Sequence, residues 1–126
     1  MKLETERYLA KADECLANAA QTTITNDAGR SAYLAAFHAA QALIFECTGK
    51  VAKTHHGVHS EFSRLTMGKP ELDGLYVFLS NAYNLKAVAD YETGPDSNIL
   101  PERAAAAIAE AARFVAAIRR DLTPSP

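Results

Sequence analysis

Four histidines fall between His38 and His59, three of them inside Lys53-Thr54-His55-His56-Gly57-Val58-His59. Imidazoles change charge near neutral pH and ligate transition metals, so proton transfer or metal binding would concentrate here. His55 and His59 stand four apart, the spacing that puts two rings on one helical face and opens many zinc sites. Gly57 between them weakens a continuous helix, and Glu61 and the distant His38 are the only further ligands in view. No metal or cofactor is therefore expected, and the pair reads as loop and helix-cap residues.

His38 interrupts the apolar run Tyr33-Leu34-Ala35-Ala36-Phe37-His38-Ala39-Ala40-Gln41-Ala42-Leu43. It is either a core histidine satisfied by a carbonyl or by Tyr or Gln neighbours, or part of a cleft with Arg30 and His55. Lys86 and Asp90, four apart, can form a surface pair worth about 0.3 kcal/mol. Alternatively they belong, with Asn84 and Tyr91, to a functional edge where Lys86 binds a phosphate and Tyr91 stacks on a base or hydrogen-bonds to it. No serine or cysteine nucleophile motif, glycine-rich phosphate loop or paired-carboxylate motif is present.

Helices must position these side chains. Tyr8, Ala12, Cys15, Leu16 and Ala19 recur at helical spacing over residues 3–20, and Gln21 to Asp27 breaks that pattern. Asn26 or Asp27 is placed to cap a second helix over 28–48, which Gly49 ends. That helix is apolar nearly all round, which marks the centre of a bundle. At about 100° per residue, Arg30, Gln41 and His38 share a narrow polar seam along it.

Residues 50–56 read as a loop, followed by a short helix carrying Val58, Phe62 and Leu65 and closed by Met67-Gly68-Lys69-Pro70. A long helix over 71–91 is expected to bury Leu72, Leu75, Tyr76, Leu79, Ala82 and Tyr83. Residues 92–98 form a loop, and Pro101 and Glu102 start a last helix that runs to Leu122 on the stripe Ala104, Ala107, Ile108, Ala111, Val115, Ile118 and Leu122. The result is an all-α antiparallel bundle of four long helices plus one short one, a single domain over 1–122 with a flexible tail at 123–126.

Composition agrees with an ordered chain. It has 126 residues, 48% hydrophobic and 22% charged, enough for one core and too few for two. A net charge of −2 offers no global attraction to nucleic acid, so any RNA site must be a local cleft. Cys15 and Cys47 lack the spacing of a disulfide framework or thiolate metal site and read as buried thiols in a reducing compartment. A charged start, Met1-Lys2-Leu3-Glu4-Thr5-Glu6-Arg7, and the lack of a long apolar run point to a cytoplasmic chain without membrane contact.

Taken together, Arg30-Ser31-Ala32-Tyr33 with Phe37-His38-Ala39-Ala40-Gln41-Ala42-Leu43, Lys53-Thr54-His55-His56-Gly57 with Phe62, and Ala89-Asp90-Tyr91 resemble the HEPN domain family, in particular its small stand-alone prokaryotic members. The resemblance covers about residues 5 to 120. It implies a bundle of four or five helices, a homodimer, and a minimal nucleotidyltransferase as partner in a toxin–antitoxin or defence-type module. Many members of the family are metal-independent ribonucleases whose signature is an arginine, four to six residues and a histidine, paired across the dimer cleft.

The segment resembling that signature, Lys86-Ala87-Val88-Ala89-Asp90-Tyr91, carries lysine for arginine and tyrosine for histidine. Lysine is a point charge instead of a bidentate fork, and a tyrosine of ordinary pKa, about 10, is a poor base at neutral pH. Arg30 and His38 have seven residues between them and belong to a different motif of the family. The resemblance thus implies a binding partner with a degenerate ribonuclease signature at Lys86 and Tyr91, and nucleotide or RNA contacts at Arg30, His38, Lys53, His55 and Asp90. A ribonuclease toxin with a rewired cleft is the competing expectation, ahead of a metal-binding bundle. If the partner adenylylates a tyrosine, Tyr91 is the candidate.

Overall fold

A computed structural model describes residues 1–94 and 98–123. The helices are α1 (Leu3–Gln21), α2 (Thr25–Thr48), α3 (His55–Thr66), α4 (Leu75–Tyr91) and α5 (Pro101–Leu122), with one 3-10 turn at Pro70–Leu72. This is the expected all-helical bundle, α3 being the short member. The tail expected at 123–126 lies, beyond Thr123, outside the described residues. No helix among the described residues is long and apolar enough to cross a membrane.

α2 is the centre, and the other four helices all pack on it. Its alanines Ala28, Ala32, Ala35, Ala36, Ala39, Ala40 and Ala42 are buried, so neighbouring backbones approach closely on every side. Between them Tyr33, Leu43 and Ile44 fill volume against Phe62 of α3, Leu79 of α4 and Phe114 of α5. Phe62 and Phe114 stack with centroids 5.3 Å apart. Phe114, Thr5 and Leu9 complete the core beside the expected stripes.

Several boundaries differ from the sequence reading. Ile24 occupies the N-cap of α2 and no side chain caps it. Asn26 serves a distant segment instead: its Oδ1 accepts the Ile99 amide at 2.9 Å and its Nδ2 donates to Asn98 Oδ1 at 3.1 Å, fixing the approach to α5. α2 ends as expected at Gly49, whose φ of 72° suits glycine and whose N–H donates to Phe45 O at 2.8 Å.

The helix expected over 71–91 is broken. Gly74, at φ 85°, turns the chain after the 3-10 segment, and α4 begins at Leu75. Leu72, Leu79 and Ala82 are buried as expected, but Tyr76 and Tyr83 are exposed at 39% and 36%. α3 starts inside the expected loop, at His55, because Thr54 Oγ1 accepts the Gly57 N–H at 2.9 Å and caps it. Of the two thiols expected in the core, Cys15 is half-buried and Cys47 exposed, since α2 emerges from the core after Ile44.

Removing Asn26 leaves the Ile99 amide of a buried residue without its acceptor. Asn26→Ala should therefore lower unfolding stability by about 1–3 kcal/mol in urea titrations, while Asn26→Asp, which keeps the acceptor, recovers most of that loss.

Candidate functional site at the α2, α3 and α4 edge

Arg30 projects from the first turns of α2 towards the end of α4. Its Nε and the Lys86 Nζ each lie 2.5 Å from a different oxygen of Asp90. Its remaining nitrogens donate to Ala89 O at 2.9 Å and to Asp27 Oδ1 at 2.6 Å. Asp27 is thus an ion-pair partner instead of a helix cap. Lys86 and then Arg30 hold the Asp90 carboxyl below the ordinary carboxylate range. Two cations and two carboxylates make this cluster locally neutral.

One turn along α2, the fully buried Tyr33 reaches α3. Its hydroxyl lies 2.8 Å from His55 Nδ1 and 3.0 Å from His59 Nε2. The i, i+4 histidine pair is therefore continuous with a helix and faces a phenol, and no cluster of three or more metal-ligating His, Cys, Asp or Glu exists among the described residues. Tyr83 of α4 covers both imidazoles, with centroids 5.0 Å from His55 and 5.4 Å from His59. Burial, assisted by the nearby Lys86, pushes the His55 pKa down, and burial with the neighbouring His55 and His56 does the same to His59. Burial and Tyr83 push the Tyr33 hydroxyl up, so it remains a protonated phenol.

His38 lies elsewhere. Its Nδ1 is 2.8 Å from Gln41 Oε1, and the Gln41 amide donates to Ala52 O at 2.7 Å, so the pair anchors the α2–α3 loop. The charges acting on His38 are Lys11 and Glu14 of α1, and burial lowers its pKa. Arg30 and His55 are thus brought to one edge with Lys86 and Asp90, while His38 faces another side of α2. Lys53 is exposed in the loop, and Tyr91, 80% exposed, stands at the last turn of α4. An open cleft of about 540 Å³ between α1 and α2, lined by Asn18, Gln21, Asp27, Arg30 and Ser31 among others, adjoins the Arg30 side.

Tyr33 and Tyr83 join the site although neither stands out as reactive in the sequence. Tyr33 is three residues from Arg30 on α2 and shares its face, which is the one signal that links them. Nothing in the spacing shows that Tyr83 turns towards α3.

The HEPN domain model matches residues 5–121, a span that includes every one of these groups. The chain belongs to the HEPN domain family. No curated protein matches it significantly. Within this HEPN domain, Asp90 accepts from both the α2 arginine and the α4 lysine, and so ties the two helices together at the edge.

The folded-state pKa of Asp90 lies below the unfolded value of about 3.9, so its pairing stabilises the fold fully above that pH and is lost as pH falls through the folded value. Asp90→Asn should be less stable than wild type near neutral pH, with the gap closing in acid. Urea melts at about pH 7 and about pH 3 measure this; an unchanged gap would contradict it.

Proposed function

We propose that this HEPN domain acts as a homodimeric partner of a minimal nucleotidyltransferase in a toxin–antitoxin or defence-type module, binding nucleotide or RNA at the α4 edge without cleaving it. The observation that carries the reading is the bare face of α4. The helix buries Leu79, Ala82, Leu85 and Ala89. Tyr76, Val77, Tyr83, Val88 and Tyr91 lie on roughly the opposite side of its axis and are all exposed. Tyr76 and Tyr83 meet the α3 histidines at the margin of this side, and Val77, Val88 and Tyr91 carry it outward, where a helix apolar on both sides normally takes a second partner.

The non-catalytic part rests on the chemistry of the edge. Lys86 is bound to Asp90, Arg30 is held by three acceptors, and Tyr91 occupies the position where the family's ribonuclease signature has histidine. The family's cleavage chemistry uses an imidazole to move the proton, and at that position this chain carries a phenol. A base can still stack on the exposed Tyr91 ring, and Lys86 can exchange Asp90 for a phosphate.

Single-stranded and structured RNA incubated with the purified chain should be bound and recovered intact. Tyr91→Ala should weaken binding roughly tenfold, the loss of one stacked base. Reproducible cleavage abolished by Lys86→Ala would replace this reading with the ribonuclease one. Co-expression with the nucleotidyltransferase encoded nearest to it should yield a complex that survives gel filtration, and separate elution of the two chains would exclude that partner.

A further inference from the structure

We propose that Tyr33, His55 and His59 form a proton-sensitive latch that holds α3 against α2 and α4 and loosens it on acidification. The phenol of Tyr33 carries a single proton. Two imidazole nitrogens face the hydroxyl, at 2.8 Å and 3.0 Å. The hydroxyl can donate to only one of them, so the other ring must donate its N–H to the phenol oxygen. The two histidines therefore play opposite roles.

A first added proton is tolerated on the donating ring, because its N–H towards Tyr33 is kept. A second proton must go to the accepting ring. Both rings are then donors, and the Tyr33 hydroxyl proton is stranded in a fully buried side chain with no further partner. Stranding a buried donor carries a larger free-energy cost than forming its bond repays, so the latch opens.

The surrounding groups favour opening. His56 adds a third imidazole on α3, and α4 contributes Lys86, Tyr76 and Tyr83. Tyr83 can attract an imidazolium through its ring face, but Lys86 opposes it, and no carboxylate among the described residues acts on either ring. The low pKa values of both rings agree: a histidine whose folded pKa is depressed supports the fold fully above its unfolded value, about 6.5, and that support is lost as pH falls through the folded values. Opening would free the Lys53-Thr54-His55 entrance of α3 whether or not α4 meets a partner.

Hydrogen exchange of the α3 amides tests the latch. After correction for intrinsic rates, wild-type α3 should exchange about tenfold faster near pH 5.5 than near pH 7.5. The step should vanish in the double variant His55→Gln/His59→Gln, whose amides donate and accept without titrating. In Tyr33→Phe it should shrink to about two- to threefold, the part due to histidine burial alone. No step in wild type, or a full step in Tyr33→Phe, overturns the proposal. Imidazole nitrogen shifts of the wild type give a readout that needs no variant: one ring must show a bare nitrogen towards Tyr33 and the other an N–H, with two separate titrations. Coincident titration at the unperturbed value would likewise overturn it.

Discussion

α2 is buried on almost every side, so its polar side chains Arg30, Tyr33, Gln41 and Glu46 reach partners in other elements, and those contacts organise the molecule. Arg30 takes Asp90 and the Ala89 carbonyl at the end of α4. Tyr33 takes the two imidazoles of α3, and Gln41 takes Ala52 O of the loop before it. Glu46, near the exit of the helix, accepts the Lys2 amide and the Thr5 hydroxyl, both at 2.9 Å, and so fixes the start of α1. Alanine burial brings the helices together without directional preference, and these polar pairs set which helix goes where.

The same pairs decide what chemistry is left at the surface. Asp27 and Asp90 together balance the charge of Arg30 and Lys86, the two cations that could grip a phosphate, and Tyr33 occupies a nitrogen of each imidazole that could have gripped a metal. Remaining at the edge are the apolar side of α4 and the exposed ring of Tyr91. The edge places the covering surface, the ion-pair cluster and the histidines within one patch, with Tyr83 belonging to both the bare side of α4 and the imidazole cluster.

The sequence made the bundle legible because hydrophobic period and helix-ending residues are local signals. The all-round apolarity of α2 and the stop at Gly49 follow from them, as does the family membership. Signals that depend on partners distant in the chain were not legible. Asn26 looks like a cap from its type and position, yet its role is set by Ile99, more than seventy residues away. Tyr76 and Tyr83 look like core residues on a periodic stripe, but Gly74 ends the preceding turn and α4 turns them to its outer side. The sequence offered candidate residues and not their arrangement: Arg30, Lys86 and Asp90 form one ion-pair cluster with His55 near Lys86, whereas His38 is held by Gln41 on another side of α2.

We propose that the outer side of α4 around Val77 and Val88 is covered by a second copy of the chain. Sedimentation equilibrium of the isolated protein measures this directly, set beside Val88→Asp, which puts a charge on that side without touching the core. Wild type should show twice the mass of one chain, and a folded Val88→Asp a single-chain mass. A wild-type protein that stays a monomer at all concentrations, or a dimer that Val88→Asp leaves intact, would contradict it.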